Sequence, residues 1–353
     1  PLGRIRFFFG KEKSMVNTTK NVTVYRLIME KVPLLILSLG SVYTVTFSLR
    51  HIENITINGS TTIYLRLQNA LVSYIKYIWK MLFPRDFTIF YPYPEFISFW
   101  KVLGAIAVIL LITFLALNYS RKYAFFIVGW FWYLGTLVPV LGLIQSGLWP
   151  EIADRWAYIP LIGLYIVIAW GVPALLPEIR YKDSILKLLG FGVIVSLMIL
   201  TKVQVGYWRN NFTLYEHALK INTENFVAHG NLGYAFHEQG EIDKAIMHYE
   251  KSLRINPQLA SIQTKLGSAY NKKGRIEDAI ERLNVALIID PDFIKAHNEL
   301  ASLLLDQGFI DEAIDHFLKV QNIMPHRKES YQNLAAAYLK KGKQDETIKN
   351  LSE

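Results

Sequence analysis

Long apolar runs without a charged side chain follow one another through the first part of the chain. A helix needs about 20 apolar residues to cross a bilayer core, and five runs approach or exceed that length. The fifth is interrupted only by Lys202, close to its end, where a lysine reaches the interface. A large soluble protein rarely supplies so many runs of this length. We therefore predict five transmembrane helices at about residues 32–49, 102–120, 123–144, 156–177 and 188–205.

A mixed pattern occupies residues 67–82, between the first two predicted spans. One helical face is apolar and the opposite face is polar, which predicts an amphipathic helix lying along the lipid headgroups. One interpretation is an interfacial anchor, and the other is that Lys76 and Lys80 line a site for a phosphorylated lipid. The apolar positions are Leu71, Ile75, Ile78 and Leu82, and the polar ones are Arg66, Asn69, Ser73, Lys76 and Lys80.

The last part of the chain repeats with a period of 34 residues. Leu232-Gly233 recurs as Leu266-Gly267 and weakens to Leu300-Ala301, while a turn glycine, an alanine and a closing proline keep the same period. This spacing is typical of tetratricopeptide repeats, each of which is a pair of helices. We predict an α-solenoid over residues 206–353, with units at about 226–259, 260–293 and 294–327 and a truncated unit at 328–353. The fold class is therefore all-α, a multi-pass transmembrane helical domain followed by this solenoid.

Tetratricopeptide arrays bind extended peptides or partner proteins along their concave face. Each candidate residue there is either a contact of the partner or an ordinary solvated helix residue. The family spacing places six candidates on that face: Asn231, Tyr234, His237, Lys272, Asn298 and Gln332.

Composition and charge support a membrane protein. Of the 353 residues 52% are hydrophobic and 19% are charged, and the net charge is +9. Residues 1–205 hold 20 Lys and Arg against nine Asp and Glu, whereas residues 206–353 hold 18 against 20. The excess of positive charge thus belongs to the apolar half, and we expect no nucleic-acid partner.

Several kinds of site are excluded by the residues present. The absence of cysteine rules out disulfides, thiolate catalysis and cysteine-based metal sites. The eight histidines show no metal-ligand spacing, so we expect no metal, and there is no glycine-rich phosphate loop or credible hydrolytic triad.

Loop charges predict the orientation in the membrane. Residues 1–31 carry seven Lys and Arg against two Glu, and Arg121-Lys122 fills the connection between the second and third spans. Basic loops stay in the cytoplasm. We therefore predict that residues 1–31 are cytoplasmic and that residues 206–353 are extracytoplasmic.

Arg155 is the basic residue of the short outer loop, at the mouth of the fourth predicted span. A guanidinium group suits a phosphate because it offers a planar fork of donors and keeps its charge. We predict that Arg155, together with Lys76 and Lys80, binds a lipid phosphate, supported by Asp154 and Tyr158. The alternative is an ion pair between Arg155 and Asp154 that only fixes the loop.

Several sequence blocks resemble one membrane family. The block Ala153–Gly163 closely resembles that family's "ADRYxYxPLIG" segment, and further matching blocks follow in the same order as in the family. Together with the repeats they are similar to the transmembrane and tetratricopeptide repeat-containing proteins. The other blocks are Pro1–Arg4, Glu30–Pro33, Leu67–Tyr74, Phe90–Pro94 and Gly135–Leu143.

The resemblance implies a GT-C type glycosyltransferase fold, and the family's characterised animal members are protein O-mannosyltransferases that use dolichyl-phosphate mannose. Their catalytic acid lies in an early outer loop, which we expect upstream of Pro1, so no catalytic residue is assigned in this chain. We expect a fragment cut at both ends, because the chain starts without Met and stops inside a repeat. The outer carboxylates, none with family support as the base, are Glu53, Asp86, Glu95, Glu151 and Asp154.

The resemblance predicts the C-terminal part of a membrane glycosyltransferase that moves a sugar from a polyprenyl-phosphate donor to protein hydroxyls. Its partners would be the bilayer, the polyprenyl-phosphate-linked sugar, and an acceptor or partner protein in the solenoid groove. Because cysteine is absent and the solenoid is short, a bacterial or archaeal cytoplasmic membrane is favoured. The alternative is a non-catalytic, membrane-anchored scaffold for protein–protein interaction.

Overall fold

The computed structural model describes residues 62–143, 150–178 and 180–352, besides Val32. Regular structure in these ranges is helical, and no strand occurs there. The all-α prediction is therefore confirmed. The first seven helices are α1 (Ile63–Leu82), α2 (Phe99–Asn118), α3 (Ala124–Leu137), α4 (Tyr158–Leu175), α5 (Lys182–Tyr207), α6 (Asn211–Ile221) and α7 (Phe226–Glu238). The next six are α8 (Ile242–Ile255), α9 (Ala260–Lys272), α10 (Ile276–Ile289), α11 (Ile294–Gln307), α12 (Ile310–Ile323) and α13 (Lys328–Ser352).

Three helical segments of the described chain are long and apolar enough to cross a membrane: Phe99–Asn118, Asp154–Leu175 and Lys182–Tyr207. The surface of α5 supports this assignment, because its apolar side chains lie outside the fold, with Leu188 71% exposed and Met198 66% exposed. An exposed apolar surface of this kind is typical of a site that contacts lipid or another protein. The predicted span 32–49 and the segment 1–31 lie outside the described residues, apart from Val32.

The predicted span 123–144 is shorter in the structure. The α-helix ends at Leu137 and a 3₁₀ turn ends at Val140, so the apolar helical segment is Ala124–Val140. Pro139 lacks a backbone donor, and Gly142 adopts a positive φ of 71° that turns the chain. A helix of this length rises about 25 Å, less than the about 30 Å of a bilayer core.

Helices α3 and α4 cross in close contact at two glycines. A Cβ atom added at Gly129 would lie 2.3 Å from the carbonyl oxygen of Gly163, and one at Gly163 would lie 2.3 Å from that of Gly129. Only residues without a side chain permit this approach, which is the small-residue packing common between membrane helices.

Helix α1 buries a different face from the one predicted for the amphipathic helix. Asn69 and Ser73, expected on the exposed polar face, are buried at 0% and 1% exposure, whereas Leu82, expected on the apolar face, is 55% exposed. For Asn69 the physical reason is that a polar partner lies inside the fold, whereas the buried Ser73 Oγ has no hydrogen-bond partner among the described residues. The Asn69 amide donates to the Glu151 carbonyl oxygen at 2.8 Å, and the Tyr74 hydroxyl donates to the Leu134 carbonyl oxygen at 2.9 Å.

Helices α7 to α12 form three antiparallel pairs that stack in sequence order. Turn glycines with positive φ separate the helices of each pair, at Gly240, Gly274 and Gly308. Fully buried alanines lie where the two helices of each pair cross, at Ala245, Ala279 and Ala313. The prediction of a tetratricopeptide solenoid is confirmed.

The loop between α1 and α2 connects the apolar helices to the solenoid. The Asn225 side-chain amide donates to the Phe90 carbonyl oxygen at 2.9 Å, and its Oδ1 accepts from the Ala228 N–H at 3.0 Å, capping α7. The rings of Phe90 and Phe226 meet edge to face at 5.8 Å. This loop therefore touches the first repeat of the solenoid directly.

Candidate functional site

A polar cluster forms where the last turn of α1 meets two loops. The Lys80 ammonium group donates to the Tyr91 hydroxyl at 2.7 Å and lies 3.8 Å from Asp154 Oδ1. The Tyr91 hydroxyl in turn donates to Asp154 Oδ2 at 2.7 Å. Residues from three separate segments thus share one hydrogen-bonded unit, which we call the Lys80 cluster (Lys80, Tyr91 and Asp154).

One turn earlier on α1, Lys76 forms an ion pair with Glu151. The loop that carries Glu151 is fixed by backbone contacts, because the Glu151 N–H donates to the Tyr91 carbonyl oxygen at 2.9 Å. The Tyr77 hydroxyl accepts from the Ala153 N–H at 3.1 Å and lies at the same distance from the Ala153 carbonyl oxygen. The two lysines therefore stand on a rigid helix facing a loop that is held in place.

The cluster borders a cavity of about 560 Å³ between α1 and α2. Lys76, Lys80 and Lys101 line it, with Lys76 paired to Glu151 and Lys80 close to Asp154. The remaining wall is apolar and runs along the start of α2, which is long and apolar enough to cross a membrane. This wall and the other lining groups are Val72, Ile75, Trp79, Tyr91, Trp100, Gly104, Ala105, Val108 and Ile152.

The protonation of the cluster follows from its burial. Burial lowers the pKa of Lys80, and the neighbouring Asp154 carboxylate opposes that effect. Burial also raises the pKa of the Tyr91 hydroxyl, and Asp154 adds to the rise, so the hydroxyl stays a hydrogen-bond donor. A basic, partly desolvated end joined to an apolar wall can hold an amphiphile with an anionic head.

The predicted phosphate-binding residues are only partly brought together. Lys76 and Lys80 line the cavity, but its lining does not include Arg155, whose exposed guanidinium group lies 5.5 Å from the centre of the Trp156 ring. Asp154 contacts Lys80 and Tyr91, and the alternative Arg155–Asp154 ion pair stays a prediction. Tyr158 is 76% exposed. The roles of Arg155 and Tyr158 stay predictions.

The predicted groove residues lie on the first helices of the repeats. Tyr234 and His237 occur on α7, and the Lys265 ammonium group lies 4.9 Å from the centre of the Tyr234 ring. Asn231 turns back onto its own helix, donating to the Val227 carbonyl oxygen at 3.0 Å. The other three differ in exposure: Lys272 and Gln332 are exposed, and the buried Asn298 Oδ1 has no hydrogen-bond partner among the described residues.

Sequence reasoning missed several residues of both regions. Lys101 was not predicted as a site residue, because it is distant from Lys80 in the sequence and only the folded chain brings both to one cavity. Lys265 and Glu299 had a usable signal, since they follow Asn231 at successive intervals of 34 residues. Extending that column would have placed both on the groove face. As for metals, His, Asp and Glu side chains form no group of three or more in the described ranges.

Comparison with protein families identifies the solenoid. A TPR repeat model matches residues 233–274 and 267–308, and a tetratricopeptide repeat model matches residues 214–247. Residues 214–308 thus belong to a tetratricopeptide array, a class of α-solenoid that presents extended binding surfaces.

Curated relatives match the chain over the solenoid region. The protein O-mannosyl-transferase tmtc2 of Xenopus laevis is 36% identical over 98 residues, which is 27% of this chain and 11% of the relative. The Homo sapiens TMTC2 is 32% identical over 96 residues, again 27% of this chain and 11% of the relative. The chain therefore matches about a tenth of the length of these relatives.

Solved structures are similar to part of the chain. MamA has 26% sequence identity and a TM-score of 0.36, covering 42% of this chain and 87% of MamA. YrrB, described as a TPR protein with an unusual peptide-binding site, has 22% identity and a TM-score of 0.34, covering 41% and 73%.

Proposed function

We propose that this chain is part of a membrane glycosyltransferase that transfers a sugar from a polyprenyl-phosphate donor to hydroxyl groups of an acceptor protein. The observation that carries the proposal is the cavity between α1 and α2. Three lysines and an apolar wall line it, and the wall lies on a helix that is long and apolar enough to cross a membrane. The similarity of the solenoid to protein O-mannosyl-transferases supports the same class of reaction.

In the proposed reaction the acceptor hydroxyl oxygen attacks the anomeric carbon of the sugar, and the bond from that carbon to the phosphate oxygen breaks. The hydroxyl proton passes to a general base, which we do not assign to a described residue, because Glu151 and Asp154 are engaged by lysines. The leaving polyprenyl phosphate gains negative charge. Lys76, Lys80 and Lys101 would stabilise that charge as it develops, in a site that is partly shielded from water.

The proposal includes an orientation of the chain in the membrane. The cavity and the solenoid would lie on the extracytoplasmic side, where the loop charges predict them, so that a donor in the outer leaflet meets an acceptor held by the repeats. The direct contact between Phe90 and the first repeat supports a common location for the two regions.

The second candidate is a membrane-anchored scaffold without catalysis. One observation favours it, because the similarity to the mannosyl-transferases covers the repeats alone. Binding of the donor's lipid separates the two candidates, since a scaffold has no need to distinguish a polyprenyl phosphate from an uncharged polyprenol.

The test is lipid binding by the purified chain in detergent, measured by native mass spectrometry with polyprenyl monophosphate and with the matching polyprenol. We expect retention of the phosphate form and little retention of the alcohol. Lys101→Gln should weaken phosphate binding by about 1.5 kcal/mol or more, the range for a hydrogen bond to a charged group. Lys101 is the chosen position because it is exposed and its loss leaves no buried carboxylate unpaired.

The matched control is Lys122→Gln, which removes the same charge beyond the other end of α2, outside the cavity. It should leave binding unchanged. Equal retention of phosphate and alcohol, or equal loss in the two variants, would reject the donor site and favour the scaffold.

A further inference from the structure

Another cavity lies at the opposite end of α2 from Lys101. It has a volume of about 500 Å³ and lies between the end of α2, the start of α3 and the last turns of α4. Most of its wall is apolar, and its polar lining groups are Tyr119, Lys122 and Tyr123, at the turn between α2 and α3. We call this cavity the Lys122 slot, and its apolar lining includes Leu115, Phe125, Phe126, Val167, Ile168 and Leu175.

The slot opens where α3 and α4 separate beyond their crossing. At the crossing, a Cβ atom added at Gly129 would lie 2.3 Å from the carbonyl oxygen of Gly163. About two turns further along α4, a Cβ atom added at Gly171 would meet only the ring of Phe125, at an ordinary contact distance of 3.5 Å. The two helices therefore touch there through a side chain instead of through their backbones, and Gly171 adds no side chain that would fill the gap.

The surroundings of the slot determine what can fill it. Two of its walls belong to Phe99–Asn118 and Asp154–Leu175, which are long and apolar enough to cross a membrane. Water is poorly held by an apolar wall, because it needs two to four polar partners. A helix with its side chains is about 10–12 Å across, too wide for a cavity of this volume, whereas an acyl chain of the surrounding lipid is narrow and apolar. The slot therefore favours an acyl chain.

The polar end of the slot is positively charged. A tight turn holds Lys122 there, because the backbone N–H groups of Lys122 and Tyr123 both donate to the Tyr119 carbonyl oxygen, at 3.1 and 2.8 Å. The Lys122 ammonium group lies 5.0 Å from the centre of the Tyr123 ring. No carboxylate is among the described residues that line the slot, and Glu178, the first carboxylate after α4, is paired with Lys182 at 2.7 Å. The charge of Lys122 is thus left for a ligand.

The sequence around the turn agrees with a lipid headgroup at this end. Arg121, next to Lys122, is exposed and adds a second positive charge. Tyrosine is enriched at membrane interfaces, because its ring is apolar and its hydroxyl group is polar. The loop charges predict that Arg121-Lys122 faces the cytoplasm, and the cytoplasmic leaflet carries anionic lipids that basic pockets between membrane helices bind.

We propose that the Lys122 slot binds a phospholipid with a net negative charge. One acyl chain fills the slot beside Phe125 and Gly171, and the headgroup phosphate lies at Lys122 and Arg121. The bound lipid would join α2, α3 and α4 at the end where α3 and α4 separate. This inference goes beyond the proposed function, because it involves neither the sugar donor nor the acceptor, and its site lies at the other end of α2 from the three-lysine cavity.

The test is native mass spectrometry of the full chain in detergent, with phosphatidylglycerol or with phosphatidylcholine of identical acyl chains. Both lipids have a phosphate, but phosphatidylcholine also brings a trimethylammonium group close to Lys122 and Arg121. We expect phosphatidylglycerol to bind at least about fivefold more tightly, which corresponds to about 1 kcal/mol for one cation beside an anionic lipid. Lys122→Gln should remove most of this preference.

A matched pair of variants locates the acyl chain. Gly171→Leu places a side chain in the slot, and we expect it to weaken phosphatidylglycerol binding at least about fivefold. Gly190→Leu is the control, because an added Cβ atom at that position of α5 has no neighbouring atom within 4 Å. If Gly171→Leu lowers the thermal midpoint, Ala174→Phe replaces it, since Ala174 lines the slot at an exposed position.

Equal binding of the two lipids, or equal effects of the Gly171 and Gly190 variants, would overturn the proposal. A dimer that Gly171→Leu dissociates would also overturn it, because a second copy would then occupy the slot. Selective loss of phosphatidylglycerol with an unchanged melting curve supports it.

The two lipid sites are distinguished by crossed variants. Lys122→Gln should reduce phosphatidylglycerol binding and leave polyprenyl monophosphate bound, whereas Lys101→Gln should do the reverse. Loss of both lipids in the Lys122 variant would mean that the slot is not specific for a phospholipid. Failure of polyprenyl monophosphate binding with phosphatidylglycerol selectivity retained would count against the proposed function alone.

Discussion

We expect two histidine pairs within the repeats to make the solenoid sensitive to acid. Nδ1 of His229 lies 3.0 Å from Nδ1 of His248, and Nδ1 of His297 lies 2.8 Å from Nδ1 of His316. In the first pair, Nε2 of His229 lies 3.2 Å from the Thr223 carbonyl oxygen, which can only accept. His229 therefore carries its proton on Nε2, and His248 must donate through Nδ1.

Protonation of both rings would place two N–H groups against each other, so the folded pair resists a second proton. Burial is the largest cause that lowers the pKa of His248, to about 4, with His229 and then Lys251 adding to it. The unfolded value is near 6.5, so the stabilisation is complete above that pH and is lost as the pH falls from 6.5 toward 4. Between about pH 7.5 and about pH 5 the linkage amounts to about 2 kcal/mol for His248.

Hydrogen exchange read by mass spectrometry measures this loss within the full chain, because it reports local opening of each helix. After correction for the intrinsic rate, α7 and α8 should open about thirtyfold more at about pH 5 than at about pH 7.5. The second repeat supplies the control, since it has Gln263 and Arg282 at the positions of this pair. The double variant H229Q/H248R places these two residue types in the first repeat. It should remove the pH response of α7 and α8.

The other pair stays intact in that variant, so α11 and α12 should keep their response to acid. Lys319 lowers the pKa of both His297 and His316, and Asp315 opposes this effect at His316, but burial is the largest cause for each. An undiminished pH response of α7 and α8 in the double variant would refute the histidine explanation.

Two further predictions test the packing around the site. Gly129→Ala should destabilise the protein by about 1–3 kcal/mol, because the added Cβ has no room at the crossing with Gly163. Gly135→Ala is the control, because a Cβ at that position of the same helix meets open space and should not destabilise the protein. Thermal unfolding in detergent compares the two variants, and equal midpoints would contradict the close crossing. Asn225→Ala should lower the free energy of unfolding by about 1–3 kcal/mol, because it removes the cap of α7 and the hydrogen bond to the Phe90 carbonyl oxygen. Hydrogen exchange should then rise both in α7 and in the loop between α1 and α2. A rise in α7 alone would show that the loop does not depend on this contact.

Much of the fold follows from sequence periodicity. A period of 34 residues specifies helix pairs that bury the same small residues in each repeat, so the repeat pattern alone identifies Ala245 and Ala279 as core positions. Apolar length likewise predicts the helices that can cross a membrane, because the backbone must satisfy its hydrogen bonds over a fixed thickness. Both signals are local or strictly repeated, and for that reason one sequence carries them.

The candidate sites depended on contacts between distant segments. Lys80, Tyr91 and Asp154 meet because hydrogen bonds fix two loops against α1, and no spacing in the sequence records those bonds. Its charge, its position at the mouth of a predicted span and the family resemblance favoured Arg155 for the phosphate. Its guanidinium group lies 5.5 Å from the centre of the Trp156 ring, and Arg155 is not part of the cavity lining. Side-chain direction is determined by packing around each residue, so sequence supplied the charged groups and only the folded chain determined which of them share a site.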